Sequence, residues 1–155
     1  MVYLYNDLVH VYEALGDDVK AIEYLFKAYD LEKSLFGDEL IKTFNFYKKL
    51  AETYFHLESN QEAYFYLNSA LEILKLINGD RHPSLKYYHQ SLAELAEQLG
   101  DDKKTQENRS AALAIEKETL FCEHEKLLDE FEILSQGSQE KNGDDDIDDF
   151  FEGLE

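Results

Sequence analysis

The side chains best suited to chemistry are scattered along this chain, and their spacing argues against most reactions. Cys122 and His124 lie two residues apart on an expected helix. They therefore point to different faces, the wrong arrangement for a nucleophile and its base. His10, His56 and His89 are far apart in sequence, and His82 belongs to a turn. A zinc site needs further ligands at matching spacing, so Cys122 is expected as a buried or half-buried helix residue. No Gly-rich phosphate loop, Gly-x-Ser-x-Gly elbow or His-Glu-x-x-His pair occurs. Asp144, Asp146, Asp148 and Glu155 have the spacing of four calcium-loop ligands, but Asp149 stands where such a loop needs glycine for its sharp turn. The expectation is a protein that is not an enzyme, with no catalytic residue, no cofactor and no metal site.

Charge narrows the class further. Thirty-four acidic residues against fifteen basic ones give a formal charge of −19 over 155 residues. From Gln136 onward there are eight carboxylates and only Lys141 to oppose them. Such a balance disfavours direct nucleic-acid binding, which needs many Lys and Arg on phosphates, and disfavours attraction to anionic lipid. No apolar run approaches the roughly 20 residues that a membrane span needs, and the N-terminus lacks a signal-peptide layout. One cysteine cannot form an internal disulfide. The expected compartment is the cytoplasm. One proline, seven glycines and an abundance of Leu, Ala, Glu and Lys point to an all-α fold.

The helices that must carry these residues are legible from an internal repeat of 42 residues. Tyr5, Leu8, Tyr12 and Leu15 recur as Tyr47, Leu50, Tyr54 and Leu57. Ala21, Leu25 and Ala28 recur as Ala63, Leu67 and Ala70, and Leu31, Leu35, Gly37 and Asp38 as Ile73, Ile77, Gly79 and Asp80. A third copy shows in Leu92, Ala96, Leu99, Gly100, Ala112 and Ile115. Spacings of three and four give each unit two amphipathic helices. Leu15-Gly16-Asp17-Asp18 supplies a helix stop and the next start. The spacing predicts six helices, at about 3–15, 18–36, 39–57, 61–77, 83–99 and 102–119, the last running on to about 134. Pro83 suits the first turn of the fifth.

Tyr5-x-x-Leu8-x-x-x-Tyr12, Gly16 and Ala21-x-x-x-Leu25-x-x-Ala28 together resemble a tetratricopeptide repeat. The long period, and Gly79-Asp80-Arg81-His82-Pro83 as a connector, are similar to the repeats of kinesin light chains and clustered-mitochondria (CLU) proteins. Two departures stand out. Gly37-Asp38-Glu39-Leu40 lacks the His-Pro pair, and Thr105 and Arg109 replace a small and a large apolar residue in the third repeat. The resemblance implies an α-solenoid of about three helical hairpins, with repeats at about 2–38, 39–80 and 81–119, a C-terminal capping helix over 120–135, and a disordered acidic tail over 136–155.

In that family the first helix of each hairpin lines a concave groove that binds extended peptides or helices. The resemblance therefore assigns partner contact to Tyr3, Asn6, His10, Lys48, Lys49, Glu52, Phe55, Tyr87 and Gln90. Tyr3, Phe55 and Tyr87 would be apolar anchors, and Lys48 and Lys49 would orient acidic groups. Co-chaperone repeats hold terminal carboxylates in a clamp whose matching positions here are Asn6, His10, Lys49, Tyr87 and Ser91. Only Lys49 offers a fixed positive charge there, so the clamp is not expected. The asparagine ladder of kinesin light chains is also broken, since Lys48 and Gln90 stand at the counterparts of Asn6.

The expected function is that of a non-catalytic adaptor or scaffold holding a protein partner in the groove. The uncapped start at Met1-Val2-Tyr3-Leu4-Tyr5 suggests that further repeats of a larger protein, or another copy, cover the first face. Past the third repeat, Leu120, Phe121, Leu127, Leu128, Phe131 and Leu134 continue helical spacing, either to cap the solenoid or to dock a partner. The tail has three readings. It is a solubilising segment, a linear motif built on Phe150, Phe151 and Leu154, or the active element of an acidic binder or chaperone of basic proteins.

Overall fold

A computed structural model describes the backbone of residues 1–140 and the side chains of residues 1–135. Within the described residues six helices follow one another: α1 (Val2–Ala14), α2 (Asp18–Phe36), α3 (Leu40–His56), α4 (Asn60–Asn78), α5 (Leu85–Gln98) and α6 (Asp102–Glu140). Among the described residues there is no strand. Every bound lies within two residues of the sequence expectation except the end of α6, which reaches Glu140. The Phe150, Phe151 and Leu154 motif lies outside the described residues.

The described residues divide into two units, Met1–Lys117 and the part of α6 from Glu118. In the first unit α1 packs on α2 and α3 on α4, while α2 against α3 and α4 against α5 join successive hairpins. Small side chains permit close crossings: Ala21, Ala28, Ala63 and Ala70 are all buried. Two apolar clusters result. Val9, Ala21, Leu25, Phe46 and Leu50 form one, and Phe44, Leu71, Leu74, Leu85, Leu92 and Ile115 belong to the other. Tyr47 packs against both and so ties the two cores together.

The period of 42 is also a period of aromatic contacts. Tyr12 stacks on Tyr24 and Tyr54 on Tyr66, each pair with centroids 5.3 Å apart. Tyr5–Tyr24 and Tyr47–Tyr66 repeat a looser contact at 6.1 and 6.0 Å. The third hairpin carries His89, Ala96 and Asn108 at these places and replaces the stack with a polar network. His89 Nδ1 lies 2.9 Å from Asn108 Oδ1, and Asn108 Nδ2 donates to Tyr64 Oη at 3.3 Å and to the Lys104 carbonyl at 2.9 Å. Asn108 is buried, and this bonding offsets what its desolvation would otherwise cost. Thr105 is likewise buried where its counterparts are Ala21 and Ala63, its hydroxyl donating to the Asp101 carbonyl at 2.9 Å. Arg109 pairs with Glu97 at 2.7 Å. The two departures of the third repeat are thus accommodated by polar partners.

The hairpin turns repeat as well, with one instructive break. After α1, Gly16 N–H donates to the Glu13 carbonyl and Asp17 N–H to the Tyr12 carbonyl. This is a Schellman ending with Gly16 at φ +72°. Gly100 repeats it after α5. After α3 the same pair of bonds forms, from Glu58 and Ser59, but Glu58 holds the left-handed conformation at φ +57°. A side chain in that region costs about 1–2 kcal/mol. Glu58→Gly is expected to raise the unfolding free energy by about 1 kcal/mol after the added freedom of the unfolded chain is discounted. A urea titration checks this, and an unchanged or lower midpoint would show that the turn is unstrained.

Asp17 and Asp101 cap the following helices, accepting from Lys20 N at 3.2 Å and Lys104 N at 3.0 Å. The Lys20 side chain and backbone N–H hold the Asp17 carboxyl below its ordinary value, and the Lys104 backbone and side chain do the same for Asp101. A depressed carboxyl stabilises the fold above its unfolded pKa, near 3.8. That stability disappears as pH falls through the lower folded value. The doubly substituted Asp17→Asn, Asp101→Asn protein keeps the cap acceptors but not the charge. Its stability deficit should be present at pH 6 and vanish in strong acid; a deficit independent of pH would exclude the charge as its source.

Pro83 does not open α5 as expected. It sits two residues before Leu85, in a turn closed by Leu85 N–H to the His82 carbonyl at 3.0 Å. His82 Nδ1 is 2.7 Å from Ser84 Oγ and 3.3 Å from the Ser84 backbone N. The histidine of the connector therefore shapes the turn through side-chain bonding, and helical bonding starts only past the proline.

Candidate partner-binding clefts

The first helices of the hairpins face two clefts. The larger, of about 460 Å³, lies between α3 and α5. Lys48, Ala51, Glu52, Phe55 and His56 of α3 line one side, and Tyr87, Tyr88, Ser91, Glu94, Leu95 and Gln98 of α5 the other, with Leu67 of α4 at the floor. The smaller, of about 340 Å³, lies between α1 and α3 and contains Asn6, Val9, His10, Asn45, Phe46 and Lys49. α2 contributes Leu25, Ala28, Tyr29 and Glu32 to it.

Phe55 is 51% exposed and Tyr87 69% exposed, although both are large apolar rings lining one cleft. Spacing brings them there. Phe55 is in the last turn of α3, on the same face as Ala51 and Glu52, and Tyr87 lies in the first turn of α5, one turn before Ser91. Beneath them Tyr88 is half-buried, edge-on to Phe44 at 5.9 Å. Burial, with a smaller push from the Glu52 carboxylate, raises the Tyr88 phenol above its ordinary value.

Both lysines expected to contact a ligand have carboxylates nearby. Lys49 Nζ lies 2.9 Å from Glu13 Oε1, a bridge from α3 to α1, and 3.9 Å from Glu52. His10 is 3.5 Å from the same Glu13. Lys48 lies 3.8 Å from Glu52, a looser pairing between exposed groups. The one fixed charge that fits the carboxylate clamp, Lys49, is thus already held by Glu13.

Of the expected contact residues, the larger cleft brings together Lys48, Glu52, Phe55 and Tyr87, and the smaller one Asn6, His10 and Lys49. Tyr3 and Gln90 line neither cleft and stand exposed on α1 and α5. Helix register alone points to them. It assigns a direction around one helix and ignores how far the neighbouring hairpin extends along it. Sequence reasoning missed Tyr88, Leu95, Tyr29 and Leu67. The last two belong to second helices, whose buried stripes reach the cleft floors. Cys122, expected buried or half-buried, is exposed on α6. Among the described residues no three His, Cys, Asp or Glu side chains converge as metal ligands, and no helix is long and apolar enough to cross a membrane.

Helical hairpins repeated every 42 residues, with first-helix side chains gathered into clefts, define a helical-repeat interaction scaffold. The family model of the tetratricopeptide repeat matches residues 1–76 of the chain. The crystal structure of BtubC (BKLC) from P. vanneervenii is similar, with 24% identity and a TM-score of 0.61 over 76% of this chain and 46% of that one. A putative kinesin light chain from Podosopora anserina with nearly identical TPR-like repeats is similar at 21% identity and a TM-score of 0.57, over 76% of this chain and 56% of that one. A substituted form of that same protein gives a TM-score of 0.58 at the same identity and coverage. The chain spans about half the length of these solved structures, and at such identities the likeness is one of fold. No curated protein matches the chain.

Proposed function

We propose that this chain is a non-catalytic cytoplasmic adaptor that buries an extended peptide or a helix of a partner protein in the α3–α5 cleft. The observation that carries this reading is the pair of large rings, Phe55 and Tyr87, left more than half exposed across one cleft on neighbouring hairpins. Exposed aromatics beside a depression are characteristic anchors for a partner. Lys48, only loosely paired with Glu52, would orient an acidic group on the ligand. Lys49 would act less, because Glu13 already holds it. Asn6 and His10 offer polar contacts to a longer ligand that continues into the α1–α3 cleft.

The test is capture from cytosolic extract, read by mass spectrometry. It compares the full chain, the Phe55→Ala, Tyr87→Ala variant, and a chain ending at Glu140. Partners lost with the two rings and kept by the shortened chain support cleft binding. Partners kept by the ring variant and lost on shortening overturn it, and make the acidic residues after 140 the binding element.

A further inference from the structure

The second half of α6 carries an apolar face remote in sequence from both clefts. Leu120, Leu127 and Leu134 recur every seven residues, with Phe131 four after Leu127, and with Phe121 and Leu128 each following a leucine. On a helix these positions form one stripe, the seam of a heptad pattern. All six side chains are between 55% and 73% exposed. A contiguous apolar stripe of this size on a charged helix marks an interaction surface.

The flanks decide what fits it. Glu123 and Glu130 border the stripe directly, and between Glu118 and Ser135 the sequence sets six carboxylates against Lys126, a formal charge of −5. A second copy would bring the same charge to the same seam, and like charges along a helical interface select against that pairing. An anionic membrane is disfavoured for the same reason. A helix with its own apolar stripe and with Lys or Arg at the flanking positions satisfies both terms.

We propose that Leu120–Leu134 of α6 is a docking helix for a basic amphipathic helix of another protein. This surface is independent of the α3–α5 cleft, and either reading can fail without the other.

The test uses the full chain and two synthetic peptides of about 21 residues, three heptads long, with Leu at the a and d positions. One has Lys and the other Glu at the e and g positions. Anisotropy of the labelled peptides at physiological salt should show the Lys peptide binding at least tenfold more tightly. Leu127→Ala with Phe131→Ala should weaken it at least tenfold while leaving the charge after Gln136 untouched. Glu123→Lys with Glu130→Lys keeps the apolar stripe and should shift the preference towards the Glu peptide. Binding of the Lys peptide that survives Leu127→Ala, Phe131→Ala would overturn the proposal, because attraction to the acidic C-terminal residues would then explain it. A chain that sediments as a dimer and is dissociated by that same pair would also overturn it, since a second copy would be the occupant.

Discussion

Leu50→Ala and Leu92→Ala are each expected to lower the unfolding free energy by about 3 kcal/mol, within the usual range for removing a buried leucine. Leu8→Ala, the same position in the first repeat, should cost only about 1 kcal/mol. Leu50 and Leu92 are 0% exposed, whereas Leu8 is half-buried. Leu50 sits in the cluster with Val9, Ala21 and Phe46, and Leu92 in the cluster with Phe44, Leu71 and Ile115. Truncation therefore leaves a cavity walled by side chains from more than one hairpin, which cannot collapse without moving the interface between them. In a stacked array each interface contributes to its neighbours' stability, so the loss should spread beyond one hairpin. Urea unfolding followed by far-UV circular dichroism decides the matter. Equal losses at all three leucines would show that burial at these positions does not differ in solution.

Much of this architecture is legible in the sequence because the same physical constraints recur every 42 residues. Ala21 and Ala63 must be small for helices to cross closely, and Leu50 and Leu92 must be apolar where hairpins stack. Gly16 and Gly100 must tolerate a left-handed turn. Where the constraint is met by a different chemistry, the pattern hides it. Glu58 takes the glycine conformation without the glycine, and His89 with Asn108 replaces a tyrosine contact by hydrogen bonds. The clefts are less legible for another reason. Phe55 on α3 and Tyr87 on α5 line one cleft, but Tyr3 and Gln90 obey the same register and line neither. A cleft is a property of two helices and the floor between them. Tyr88, Leu67 and Tyr29 enter through packing distances that periodicity does not contain. The Lys49–Glu13 bridge is hidden likewise, because its partners are 36 positions apart in the chain.

The double substitution Phe55→Ala, Tyr87→Ala is expected to weaken a cleft-bound partner by roughly 30- to 1,000-fold, corresponding to about 2–4 kcal/mol for two aromatic anchors. Its effect on folding should stay near about 1 kcal/mol, since both rings are more than half exposed and little of their surface is exchanged for solvent. That separation is the useful signature: a large fall in affinity with a nearly unchanged urea midpoint. Lys48→Ala should add a smaller loss, confined to acidic ligands and diminished by salt, because its nearest carboxylate is the loosely paired Glu52 at 3.8 Å. Lys49→Ala should differ in kind. Removing it takes from Glu13, which lies 2.9 Å away on α1, its partner on α3, so its principal effect falls on how the first hairpin is held to the second. Titration of each purified variant with a captured partner, alongside its denaturation curve, tests the whole set. Affinity and stability falling together for Phe55 and Tyr87 would mean that the rings hold the hairpins in place, and the cleft would lose its claim as the partner's seat.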